Sequence, residues 1–179
     1  MPTYTPENFL SYGKDVIISD HAIIKHPQLC RIGNHVAIDN VTFNTAVHIG
    51  DYIHIAPYVC IIGGKTVTVT FEDFTFVAAG TKIVAGSDDY TGLGLVGPVI
   101  PTEYRHIVFK DITFKRFSGC GVNCSIMPGV TLGEGAILGA NSLATKDLEP
   151  WTIYVGSPAR PVKARKKEVI LQYAKQLGY

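Results

Sequence analysis

With 179 residues, 46% of them apolar and only 17% charged, the chain is sized for one compact domain rather than two. Sixteen basic against fifteen acidic side chains leave a formal charge of +1, too weak a field to point to nucleic acid or an anionic membrane as partner. The longest apolar stretches, such as residues 53–64, are broken by His54 and Pro57 and fall short of the roughly 20 residues that cross a bilayer. Four cysteines, at 30, 60, 120 and 124, are too few for a disulfide scaffold. The opening Met1-Pro2-Thr3-Tyr4-Thr5-Pro6 lacks the basic start and apolar core of a secretory signal, the pattern expected of a cytoplasmic protein.

Taken in chain order, the sequence is a repeat of six. It first shows as Ile32-Gly33 and Ile38, slips by one at Phe43, and resumes as Ile49-Gly50, Ile55, Ile61 and Val67. It then continues in a shifted frame as Phe71, Val77 and Ile83; the shift of four residues between Ile61 and Phe71 predicts a bulged coil around Gly63-Gly64. Residues 86–110 carry five Gly and Pro residues between 92 and 101 and no period, which reads as a long loop ejected from the repeat, and such loops are usually functional. The period returns at Phe114, Cys120, Ile126, Leu132, Leu138 and Ala144. Four residues after the anchors stand Ser118, Cys124, Val130, Ala136 and Ser142, all small, while glycine follows the anchor at 121, 133 and 139. A six-residue period is the signature of a parallel β-helix, an all-β solenoid in which three short strands complete each coil. Alternation sends the anchor and the small residue before it inward, where two large side chains per strand do not fit. Glycine after the anchor is expected at corners where the backbone bends. Cys120 and Cys124 occupy an anchor and its companion, so they are expected in the core rather than at a metal. The tail, residues 162–179, follows Pro158 and Pro161 and has apolar residues at 162, 169, 170, 173 and 177, a helical spacing. The chain thus divides into residues 1–161 for the solenoid, with 86–110 ejected, and 162–179 for a short amphipathic helix of the same domain.

With the repeat, the ejected loop, and the closing segments Gly139-Ala140-Asn141-Ser142-Leu143-Ala144-Thr145-Lys146-Asp147 and Gly156-Ser157-Pro158-Ala159-Arg160-Pro161-Val162-Lys163, the chain resembles the hexapeptide-repeat acyltransferases. Among them it looks most like the sugar acetyltransferases. The resemblance implies a left-handed β-helix, an exception to the right-handed crossover rule, and a homotrimer with an active site in each groove between neighbours. It implies acetyl-coenzyme A as co-substrate along the C-terminal coils. By the same resemblance Ala140 and Thr145 would line the pantetheine arm, Lys146 and Lys163 would reach the phosphate end, and Gly121 and Arg160 are further cofactor-side candidates, with Arg165 as an additional cation. Several phosphate charges need fixed cations, and the 160–167 stretch supplies them.

Acetyl transfer from a thioester needs an acceptor freed of its proton and a donor that stabilises the developing oxyanion. Of the six histidines, His54 is the candidate base: it follows an inward Ile53, so alternation turns it outward, and the segment Gly50 to Pro57 looks like the stretch of the sugar acetyltransferases whose histidine faces the active site. In the ejected loop Asp88, Asp89 and Tyr90, with Tyr104 and His106 at its end, are candidate acceptor-binding residues. Related O-acetyltransferases often carry a histidine in this loop where the chain has Asp88 and Asp89. A carboxylate pair suits an ammonium group, and an amine needs only one proton removed near neutral pH. The expected reaction is therefore N-acetylation of an amino sugar, with a nucleotide as its expected carrier, in bacterial surface polysaccharide synthesis. The alternative is O-acetylation of a sugar with His106 as loop base. A different class, a zinc-dependent hexapeptide enzyme of carbonic anhydrase type, needs three histidines about 18 residues apart on one face, which the frame around His54 does not offer; no metal is expected.

Overall fold

The computed structural model describes residues 4–179 and consists of short parallel strands wound into a left-handed β-helix of about seven turns. The strands are mostly two or three residues long because each has only to place one anchor inward before the chain turns. Three registered columns of inward side chains form the core. On the first face Tyr12, Ile32, Ile49, Phe71, Phe114 and Leu132 pair from coil to coil. On the second, Ile18, Ile38, Ile55, Val77, Cys120, Leu138 and Tyr154 do so. The third runs Ile24, Phe43, Ile61, Ile83, Ile126 and Ala144. The anchors from Phe114 to Ala144 are all fully buried, as are their small companions Ser118 and Ala136. Two longer strands, Thr42–Ile49 and Cys60–Phe71, run from the third face through the corner to the first and join those faces into one ten-stranded sheet; the second face is an eight-stranded sheet of its own.

The frame slips have physical counterparts. Phe43 stays in its column because the corner before it is one residue shorter, with Val41 as the buried companion. The four extra residues after Ile61 break the register between Asn44 and Ala46 against the neighbouring strand, where the buried Thr45 hydroxyl donates to the Val67 carbonyl at 2.7 Å. The glycines after anchors have a different role from the one expected. A Cβ built on Gly121 would stand 2.7 Å from the Ala140 nitrogen, and one on Gly133 2.7 Å from the Leu148 oxygen, so they permit close approach of the next coil rather than a left-handed bend. The left-handed corner residues lie elsewhere. At the corner between the first and second faces they are Asp15, His35, Tyr52, Phe74, Phe117, Gly135 and Trp151, each with φ between 52° and 67°.

The helical tail begins later than the apolar spacing predicts. Arg160–Ala164 is a strand antiparallel to Thr152–Val155, and the helix spans only Glu168–Gln176. Thr152–Val155 closes the last coil and would otherwise present an open edge; the returning strand, with Pro161 fixed in an extended-compatible φ, covers it. Among the described residues no helix is long and apolar enough to cross a membrane.

Candidate active site

His54 lies outward on the second face, paired across the sheet with Ala37 and Phe76. Its Nε2 is 2.8 Å from Asp39 Oδ2, and the imidazole is 56% exposed. A carboxylate can only accept, so in the neutral imidazole Nε2 is the protonated nitrogen and the lone pair lies on Nδ1. Asp39 escaped the sequence reading, although it sits on the preceding coil and two residues along from Ala37, the partner of His54; an acid searched for near one coil upstream would have found it.

The ejected loop is a hairpin with an irregular tip. Gly86–Asp88 pairs antiparallel with Ile107–Phe109, and Thr102–Tyr104 forms a 3-10 turn. The two aspartates have separate duties. Asp88 Oδ1 accepts from Arg105 Nε at 2.9 Å and Nη2 at 2.7 Å, Oδ2 accepts from the Gly97 amide at 3.0 Å, and the carboxylate is only 10% exposed. Its lone pairs are thus largely used by the loop itself. Asp89 accepts from the amide and hydroxyl of Thr91 and from His106 Nδ1 at 3.2 Å. Those bonds, the Thr91 hydroxyl first, hold its carboxyl below the ordinary range. In the neutral imidazole the Asp89 bond to Nδ1 makes Nε2 the nitrogen with the lone pair, on a half-exposed ring. Tyr90 and Tyr104 are exposed at the same tip. Between the loop and the third face lies a cleft of about 580 Å³ that includes Asn44, Ile62, Gly63, Asp88, Tyr90 and Arg105.

The loop leaves the solenoid after Lys82–Val84 on the third face and returns at Ile112–Phe114 on the first. His54 is on the second face. One chain therefore does not bring His54 and the loop residues into a common pocket.

At the C-terminal end a pocket of about 410 Å³ is lined by Thr145, Lys146, Tyr154 and Arg160 among others, so three of the cofactor-side candidates meet there. Gly121 and Ala140 stack on each other across adjacent coils at a different corner. Lys163 is exposed on the returning strand opposite Ile153, outside that pocket. Arg165 is otherwise engaged: its Nη1 donates to the carbonyls of Phe117 and Gly135 at 2.7 and 3.0 Å, beneath Trp151.

No protein-family model matches the chain. It is 36% identical over 167 residues to dTDP-4-amino-4,6-dideoxy-D-glucose acyltransferase of Escherichia coli, covering 90% of this chain and 85% of that enzyme. The crystal structure of AntD, an N-acyltransferase from Bacillus cereus in complex with dTDP and 3-hydroxybutyryl-CoA, superposes with a TM-score of 0.92 at 36% identity, over 99% of this chain and 97% of AntD. A mutant of AntD carrying a serine-to-cysteine substitution has also been captured with dTDP-4-amino-4,6-dideoxyglucose and Coenzyme A. A more distant relative is WbbJ of Escherichia coli, named for lipopolysaccharide biosynthesis O-acetyl transfer, 25% identical over 131 residues, 73% of this chain and 64% of WbbJ. The coiled architecture and these relatives together define a β-helix acyltransferase. The chain belongs to the hexapeptide-repeat acyltransferase family.

Proposed function

We propose that this protein transfers the acetyl group of acetyl-CoA to the amine of a nucleotide-linked amino sugar. The observation that carries this reading is the near-complete match, in length and fold, to two acyltransferases of dTDP-linked amino sugars. In the reaction the neutral acceptor amine attacks the thioester carbonyl and gives a proton to the base, and the tetrahedral intermediate collapses as the C–S bond breaks and the departing coenzyme A sulfur takes that proton up. His54, held by Asp39, takes the proton; Thr145, Lys146 and Arg160 grip the coenzyme, with Gly121, Ala140 and Lys163 along its path. Asp89, His106, Tyr90 and Tyr104 meet the acceptor, and Asp88 fixes the loop that carries them. The name of WbbJ supports a role in surface polysaccharide synthesis, and four free cysteines suit work in the cytoplasm.

Because His54 and the loop occupy different faces, a site using both is built from two chains, which supports a homotrimer with sites between neighbours. A second reading follows from the Asp89–His106 pair at 3.2 Å, an oriented base in its own right. Acetyl-CoA and 3-hydroxybutyryl-CoA are each incubated with dTDP-4-amino-4,6-dideoxyglucose and with neutral dTDP-sugars, and products are read by mass spectrometry. An N-acetyl product is expected, and exclusive O-acetylation overturns the reading. His54→Ala should lower kcat by about a hundredfold or more with coenzyme affinity nearly unchanged; if instead only His106→Ala does so, the loop histidine is the base. Oligomers assembled from His54→Ala and His106→Ala chains should regain activity where each site draws one intact residue from each chain.

A further inference from the structure

The tail helix does not close on the solenoid. Glu168–Gln176 buries only Ala174, while Tyr173 and the following Leu177 stay exposed. Beneath the helix runs an apolar groove of about 250 Å³, floored by Phe74, Phe76 and Phe117 and walled by Ile170, Ala174 and Leu177. Its charged lining residue, Arg165, is already engaged, with Nη1 donating to the Phe117 and Gly135 carbonyls. Ala174 sets the depth of the groove, because a longer side chain at this buried position would extend into the space that it lines.

Phe76 connects the groove to the proposed base. It faces outward on the second face in register with His54 on one side and Gly119 on the other, so His54 is one strand spacing away, about 4.8 Å. A Cβ built on Gly119 would stand 2.5 Å from the Phe76 ring, so the ring lies over Gly119 and leans away from His54. The chemistry dictates what else stands there. The amine that gives its proton to the base bonds to the acyl carbon, so that carbon and the first atoms of its chain lie close to the imidazole.

We infer that this groove takes the acyl chain of the donor thioester, with Phe76 and Ala174 setting its length, and that the enzyme transfers short linear acyl groups beyond acetyl. The inference rests on the transfer reaction and the base proposed above and adds the class of donor. An apolar cavity of about 150 Å³ holds a benzene molecule, so this groove has room for a tail of about four carbons. Rings and aliphatic side chains with no free charge suit an alkyl tail, which gains by leaving water. The bonds made and broken are those of acetyl transfer: the nitrogen bonds to the acyl carbon, the C–S bond breaks, and the amine proton ends on the coenzyme A sulfur. Only the tail differs.

The test compares kcat/KM for acetyl-, butyryl- and octanoyl-CoA, with dTDP-4-amino-4,6-dideoxyglucose as acceptor, in the intact protein and in Ala174→Leu and Ile170→Phe. The wild type should use butyryl-CoA at least as well as acetyl-CoA and octanoyl-CoA much less. Either substitution fills the groove from the helix side and should lower the butyryl-to-acetyl ratio about tenfold or more, a change that mere loosening of the tail does not produce. Ile170 is half-buried, so its variant decides the matter where Ala174→Leu folds poorly. If the wild type rejects butyryl-CoA, or uses octanoyl-CoA equally well, the groove does not set the donor and the inference falls. If both variants acylate the amine with the wild-type ratio, the location is wrong and the transfer reaction stands. If Ala174→Leu keeps that ratio and instead splits the oligomer in analytical ultracentrifugation, the groove seats a neighbouring chain and the inference falls. A wild type that acylates the acceptor from none of these donors removes the proposed reaction and the inference together.

Discussion

The two loop aspartates show how one residue type takes two roles from its surroundings. Asp88 and Arg105, 10% and 14% exposed, form a nearly enclosed pair. Removing one partner of such a pair strands the other and typically costs about 3–5 kcal/mol. That cost falls on the loop tip rather than on the solenoid, because the tip hangs from a single short hairpin, Gly86–Asp88 with Ile107–Phe109. Asp88→Asn and Arg105→Gln are therefore expected to speed proteolytic nicking between residues 89 and 106 alike, with little change in the global melting temperature. If Asp88→Asn raises the acceptor KM while Arg105→Gln leaves both nicking and KM unchanged, Asp88 acts on substrate directly. Single residues were only partly legible in the sequence. Alternation alone turned His54 outward, as found, but the partners that define a side chain's chemistry lie a coil away or across a hairpin. Asp39 is 15 positions from His54, within a search one coil upstream, whereas Arg105 is 17 from Asp88 across a hairpin that a six-residue period does not announce.

At the scale of the coil, the small companion position separates two serines that read alike. Ser118 and Ser142 are both buried four residues after an anchor. Ser142 accepts from the Gly156 amide at 2.9 Å and donates to the Ala140 carbonyl at 3.3 Å, tying the closing segment to the coil beneath it. The Ser118 hydroxyl has no hydrogen-bond partner among the described residues. Losing an intramolecular hydrogen bond costs about 0.5–1.5 kcal/mol, whereas losing an already unpaired buried hydroxyl relieves a penalty. Ser142→Ala should lower stability in denaturant titration, and Ser118→Ala should leave it unchanged or raise it; the opposite order would mean that an interior water or a shifted coil serves Ser118. The period itself was the most legible element, since each anchor reports the same geometry independently and the columns emerge without knowledge of the pairing. The corners were less so. His35, Tyr52, Phe74, Phe117 and Trp151 each stand three residues after a first-face anchor, or after Leu148 in the last coil, yet left-handed φ is costly for ring-bearing residues and no propensity rule places them there. Stacking supplies the compensation: Tyr52 lies on Phe74 with centroids 5.2 Å apart, and Phe74 on Phe117 at 5.3 Å.

On the scale of the whole molecule, this aromatic corner is what the tail recognises, and through it the closing coil is tied back to the middle of the solenoid. Arg165 sits against Trp151 and the Phe117 carbonyl, the helix Glu168–Gln176 then runs back along the corner with Ala174 buried, and Tyr179 reaches Tyr52 and Phe74 edge-on. Its hydroxyl donates to Asp51 Oδ2, 128 residues away, and Asp51 also accepts from the Asn34 amide at 2.7 Å. The tail thus spans the coils between which the loop is inserted and fastens them from outside. This clasp titrates at both ends. Burial raises the Asp51 carboxyl, but hydrogen bonds from Tyr179 and Asn34 outweigh it and the net direction is down. The hydrogen bond to Asp51 pushes Tyr179 up to about 12. A lowered folded pKa stabilises above the unfolded carboxyl value near 3.9 and is lost as pH falls through the folded one; a raised phenol stabilises below about 10 and is lost as pH rises through about 12. Tyr179→Phe keeps the ring contacts and removes only the bond, so it should lower the melting temperature by about 1–3 °C between roughly pH 5 and 9. The gap to wild type should close towards pH 3 and again above pH 11. A gap that stays constant across this range would place the tail's hold in ring packing alone, with the Asp51 bond contributing nothing.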